Sequence, residues 1–413
     1  AGNDAYTLTK KLTAGSANLG GQGFGDTGGA GLMLDQAGND TYLVEASSCA
    51  GCHVEPHAFA YAETGGVGIG YDGGGTDQMS LRGTTEVLAP DAPPPPLAPA
   101  EVNVWGFGFS LAGGVAVHLS GDGPTQRTVL GQTGGPQNAG VEVRVFGHSD
   151  RGPLGAIVDR GGADIYEAQA GARYVRHVTV NDTCECKGAH AEARADQASV
   201  IGMGYGQLGG VGMLSDGGGN DRYVSLGFSY AEAVATDNRT KLSGPSDIGA
   251  LADAVNEYSN FSIVQGVSTS AGAGFLLDGA GDDVYDSTAG SEVHATASAA
   301  VADAKVSATS QAAAGWSSAQ GYGGGGYGEL RDLGGTDSYT SLSTVSATAD
   351  PPTQVTAGNP IAQVQGDGGA GWLFDIGGAA DSFASTPANP ACTGTRGQGV
   401  WLDCTSGGGG VNQ

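Results

Sequence analysis

Positive charge is scarce in this 413-residue chain: 17 Lys and Arg face 43 Asp and Glu, a formal net charge of −26. Such a charge repels phosphate backbones and anionic bilayers, so nucleic acid is not an expected partner and cations are the natural ligands. Long apolar runs are lacking as well, none approaching the roughly 18 residues needed to span a bilayer. Proline, at 16 residues, follows no Gly-X-Y period, which excludes collagen. No nucleophile elbow, P-loop, HExxH or paired-carboxylate signature stands out, so a non-enzymatic role is expected.

Glycine is what the chain has in excess. Its 77 residues are roughly 19% of the chain, against an average near 7%, and each interior glycine weakens a helix by about 1 kcal/mol. A helical core is therefore excluded, and turns and close backbone packing remain as the glycines' role. The glycines fall into a repeat. Aligned on Asp35, Asp72, Asp159, Asp216, Asp278, Asp332 and Asp375, each copy has a glycine four residues before and another three residues after. In the first six, a second aspartate follows five residues on: Asp40, Asp77, Asp164, Asp221, Asp283 and Asp337. Two residues later stands an aromatic in most copies: Tyr42, Tyr166, Tyr223, Tyr285 and Tyr339, with Met79 in the second copy. The consensus is G-x-x-x-D-x-x-G-x-D-x-Y. The wide interval between Asp72 and Asp159 has room for a degenerate copy, GVAVHLSGD at 114–122.

Each copy reads as a short strand, a glycine turn and a second strand opening at the aromatic. The chain is expected to be all-β: a single repetitive domain over 1–413, a glycine-rich parallel β-solenoid of about eight repeats with inserted loops, with a β-propeller as the alternative. The inserted segments are a stiff Pro-rich loop at 89–100, polar excursions at 181–195 and 236–256, and an alanine-serine stretch at 291–314 that fits either a helix or a strand pair. A Gly-rich tail occupies 406–413.

Stacking such units places equivalent side chains about 4.8 Å apart, so columns of aspartates would repel one another unless a hard cation bridged them. AGNDTY at 37–42 and GGNDRY at 218–223 resemble the second half of the calcium-binding nonapeptide of the RTX family. The resemblance implies a calcium-bound β-roll in which Asp40, Asp77, Asp164, Asp221, Asp283 and Asp337 take the calcium-binding position. Their partners Asp35, Asp72, Asp159, Asp216, Asp278 and Asp332 join them as candidate ligands. The alternative is that these aspartates cap turns through backbone N–H groups without metal.

The segment at 397–405, with Gly399, Trp401 and Asp403, matches the first half of a repeat, and 1–6, with Gly2, Asp4 and Tyr6, matches the second. These complementary half-repeats predict head-to-tail self-assembly into a homopolymer, with ring closure or a cut fragment as alternatives. Cys49, Cys52 and His53 fit the CxxCH pattern of haem c attachment, which would make an electron-transfer protein. With Cys184, Cys186, Cys392 and Cys404, the same residues also fit three short-range disulfides, which suit an extracellular or cell-surface setting. The expected function is a secreted, calcium-stabilised structural filament. The alternatives are a haem protein and a discrete module binding surface carbohydrate.

Overall fold

A computed structural model describes residues 2–50, 52–87, 89–91, 101–134, 140–181, 188–195, 197–239, 249–256, 260–300, 305–312, 315–318, 321–357, 361–363, 370–375, 381–386, 394–396 and 399–401. Among these, every regular element is a strand, and the strands form sheets of ten, nine, eight, seven and four members. Each strand lies beside its equivalent in the preceding and following repeats, and the pairing is parallel throughout except at two strands late in the chain.

The repeat motif divides between two sheets. Its first half forms the strands of the nine-membered sheet, from Ala30–Asp35 through Val67–Asp72 and Val115–Ser120 to Ala370–Asp375. Its second half opens the strands of the ten-membered sheet, including Thr41–Ser48, Ile165–Val180, Arg222–Asp237 and Val284–Ala299. In these two sheets register runs without slippage: Asp35 faces Asp72, and Tyr166 pairs Tyr223, which pairs Tyr285, which pairs Tyr339. Alternation sends every second side chain inward, so one period-2 pattern fills the core of each repeat with the same residue types. Stacked tyrosines form one column, with centroids 5.1, 4.9 and 4.8 Å apart along Tyr166, Tyr223, Tyr285 and Tyr339. Leu214, Leu276, Leu330 and Leu373 form another.

The motif's leading glycine has a packing role. A Cβ on Gly212 would lie 1.9 Å from the carbonyl oxygen of Tyr205, in a short strand of the seven-membered sheet. Bare backbone therefore packs on bare backbone, as the alternating glycines imply. Corner residues repeat too: Phe59, Phe107, Phe146 and Met203 are buried at φ between 53° and 58°, a conformation that side chains seldom adopt and that their stacking holds in place.

Two expectations are corrected and one left open is decided. The polar excursions contain strands, Ala189–Arg194 and Gly249–Val255, which join Lys305–Ala312 and Pro352–Ala357 in the four-membered sheet. Alanines at every second position, among them Ala191, Ala193, Ala252 and Ala254, pack against the extended ends of the long strands and make a second core. Of the two readings of the alanine-serine stretch, the described residues take the strand pair, in Val284–Ala299 and Lys305–Ala312. Gly399–Trp401 runs antiparallel to Leu373–Asp375 instead of opening another parallel repeat, because the chain reverses before it and covers the sheet edge. Asp403, 406–413 and most of the Pro-rich loop lie outside the described residues.

Candidate metal centre

The motif's first aspartate ends its strand with the side chain turned inward. One oxygen caps the following turn: Gly218 N–H donates to Asp216 Oδ1 at 3.0 Å, and Gly334 N–H donates to Asp332 Oδ1 at 2.9 Å. In three copies the other accepts a tyrosine hydroxyl from the preceding repeat: Tyr166 to Asp216 at 2.8 Å, Tyr223 to Asp278 at 2.6 Å, and Tyr285 to Asp332 at 2.8 Å, whereas Tyr42 donates to Asp35 of its own repeat and Asp72 Oδ2 meets no donor. Burial holds the hydroxyls of Tyr166, Tyr223 and Tyr285 well above their ordinary pKa, so they remain donors.

The second aspartate is used differently. Its Oδ1 accepts the backbone N–H of its own equivalent one repeat earlier: Asp40 N–H to Asp77 at 2.7 Å, Asp164 to Asp221 at 2.6 Å, Asp221 to Asp283 at 2.6 Å and Asp283 to Asp337 at 2.8 Å. This rail of side chain to main chain bonds ties each turn to the next. Its Oδ2 is left over. In Asp40, Asp164, Asp221 and Asp283 that oxygen is buried and meets no hydrogen-bond donor of the protein, and these residues are at most 1% exposed.

The carboxylates gather. Five groups of three carboxylates have oxygens within 4.8 Å of one another: Asp4, Asp35, Asp40; Asp40, Asp72, Asp77; Asp159, Asp164, Asp216; Asp221, Asp278, Asp283; and Asp283, Asp332, Asp337. Every candidate metal residue read from the sequence is therefore in a group, but each group spans two neighbouring repeats rather than one aspartate pair. Asp4, expected only at an assembly contact, joins Asp35 and Asp40 as a possible ligand. Tyr6 extends the tyrosine column by stacking on Tyr42 at 5.0 Å, and its hydroxyl donates to Asp35 Oδ2.

Without a counter-ion, five of these carboxyls resist ionisation. Burial, reinforced by neighbouring carboxylates, raises Asp72 to about 6, Asp278 to about 7, Asp283 to about 8 and Asp221 to about 9. Burial also raises Asp164 to about 7, although the Arg127 guanidinium opposes the shift. An isolated charge of this kind is costly, and either a proton or a cation removes the cost. An all-oxygen, multi-carboxylate donor set suits a hard divalent ion of the calcium type. Turn capping and cation binding are thus not exclusive: at Asp216 the two bonds are turn and tyrosine chemistry, while Oδ2 of Asp40, Asp164, Asp221 and Asp283 meets no donor.

The degenerate third copy departs from the pattern. Ser120 stands beside Asp72, Thr125 beside Asp77, and Arg127 beside Met79 and Tyr166, so the two aspartates and the aromatic have become Ser, Thr and Arg. The copy was legible in the sequence but Arg127 was not singled out, because its place in the aromatic column, seven residues after Ser120, shows only once Ser120 is set beside Asp72. The fully buried His118 lies in the same copy; burial lowers it to about 3, so it is neutral in the core.

Cys49 and Cys52 are joined in a disulfide, which takes up both thiols that a haem c linkage would need. His53 lies 2.9 Å from Glu55 and 3.4 Å from Glu101. Cys184, Cys186, Cys392 and Cys404 lie outside the described residues. No helix among the described residues is long and apolar enough to cross a membrane. Comparison with family models, curated proteins and solved structures finds no match.

Proposed function

We propose that the chain is a structural β-solenoid whose repeats are locked together by divalent cations, calcium foremost, held between neighbouring turns by carboxylates. The solenoid reading rests on the pairing. Propeller blades are antiparallel sheets closed within one repeat, whereas strands here pair with equivalents one repeat away. The single observation that carries the metal reading is the buried Oδ2 without a donor, recurring at Asp40, Asp164, Asp221 and Asp283 beside two further carboxylates. In such a scaffold the ion does no chemistry. It converts a column of mutual repulsion into cross-links along the stack, and the protein's work is to persist as a stiff rod. Millimolar extracellular calcium and the Cys49–Cys52 disulfide both suit a secreted or cell-surface role.

Isothermal titration and native mass spectrometry of chelator-treated protein with calcium test the reading. Uptake of several ions per chain, with a higher melting temperature, is expected. No uptake at millimolar calcium, with unchanged melting, overturns it.

A further inference from the structure

We infer that Arg127 is a protein-supplied cation that replaces the metal at the third repeat and divides the carboxylate column into two separate ion-binding blocks; this rests on the metal reading above. Arg127 occupies the tyrosine column: its backbone pairs Met79 on one side and Tyr166 on the other, and its guanidinium carbon lies 4.8 Å from the centroid of the Tyr166 ring. Its side chain is fully buried. Tyr166, Tyr223 and Tyr285 each donate a hydroxyl hydrogen bond to the first aspartate of the next repeat. Arg127 Nη2 makes that same bond, to Asp159 Oδ2 at 2.5 Å, and also donates to Ser120 Oγ, at the first-aspartate position of its own repeat. It thus spans the places that two consecutive carboxylates would hold and brings a full positive charge with it. That charge acts on Asp77 in the repeat below and on Asp164 in the repeat above, opposing the effect of burial on both.

The unmet hydrogen-bonding atoms support the same inference. At Asp40, Asp72, Asp164, Asp221 and Asp283, including both repeats that flank the arginine, the unsatisfied atoms are carboxylate oxygens, which call for a cation or a proton. At Arg127 they are Nε and Nη1, which are donors. The sign of the deficit reverses at this repeat, where Ser120 and Thr125 have also removed two negative charges. A metal ion between the second, third and fourth repeats would meet one or two carboxylates and a guanidinium, so this stretch of the stack needs none. The groups at Asp4 to Asp77 and at Asp221 to Asp337 are the two metal-dependent blocks, and Asp159, Asp164 and Asp216 form a weaker site bordering the arginine.

The test begins with the native chain. Hydrogen exchange with calcium and with chelator should show protection of 115–133 unchanged on chelation, while 222–237 and 284–299 exchange faster by about tenfold or more. Equal loss in all three segments overturns the inference. The second arm restores the consensus with Ser120→Asp, Thr125→Asp and Arg127→Tyr together. Titrated with calcium alone, this variant should bind two more ions than the native chain, at the two gaps it completes. A native chain that binds calcium beside a folded variant with the same ion count sinks the arginine inference and leaves the metal reading standing. A native chain that binds no calcium sinks both.

Discussion

Asp283 belongs to two carboxylate groups at once, which gives its substitution opposite effects with and without metal. In Asp283→Asn the side-chain oxygen can still accept the Asp221 N–H at 2.6 Å, so the rail between turns survives. What changes is charge. Two unit charges at the 4.8 Å limit of these groups repel by about 3 kcal/mol at an effective dielectric constant of about 20. In chelator at pH 9, where the burdened carboxyls are largely forced to ionise, the Asn variant should therefore be more stable than the native chain by about 3 kcal/mol. In millimolar calcium the order should invert, because the substitution removes a ligand shared by two ions. Urea unfolding in both conditions reads the two differences directly. A variant equally destabilised in calcium and in chelator would refute the reasoning, because loss of a turn cap alone has no reason to depend on metal.

The other predictions follow the same geometry. Metal-free protein should lose stability as pH rises from about 4 to about 9. Asp72, Asp278, Asp283 and Asp221 have folded pKa values raised above the unfolded value near 3.9, so the folded chain holds protons that the unfolded chain has released across that window. Calcium should flatten the dependence, and melting curves at several pH values check both parts. Tyr223→Phe deletes the 2.6 Å bond to Asp278 and should cost about 1 to 3 kcal/mol in urea unfolding with calcium present, without altering the number of ions bound. Gly219→Ala should prevent native stacking, because Gly219 has φ +157° and its Cβ would lie 1.2 Å from the Gly162 carbonyl oxygen. A cost of about 3 kcal/mol or more is expected for such a clash, visible as lost circular dichroism or insoluble expression, and a native-like variant would contradict the register.

The column itself was legible because a stacked fold writes its register into the sequence. An aspartate that must bond the next turn and a tyrosine that must stack on the next ring recur at fixed offsets, while inserted segments vary freely in length. The third copy could be found by its apolar strand and nearby glycines, although Ala116 stands where the leading glycine is in its neighbours, yet the role of Arg127 could not, since the substitutions had erased the consensus around it. Which carboxylates meet was equally hidden. Asp283 joins Asp332 and Asp337 because of where the next turn lands, 49 and 54 residues away, and sequence offsets describe only one turn at a time. The four-stranded sheet escaped because its inward residues are alanines. Alternation of alanine with polar residues, AHAEAR at 189–194 and ALADAV at 250–255, has the period of a strand but little of its hydrophobic contrast. The antiparallel direction of Gly399–Trp401 leaves no trace in composition at all.

A crystal structure of the chain grown in calcium, with anomalous scattering measured for a substituted lanthanide, tests the central claim most directly. The account predicts anomalous peaks between successive turns, about 2.3 to 2.6 Å from oxygens of Asp221, Asp278 and Asp283 and of Asp283, Asp332 and Asp337, and none beside Arg127. Carboxyl groups paired through shared protons, with no anomalous density between the turns, would contradict it.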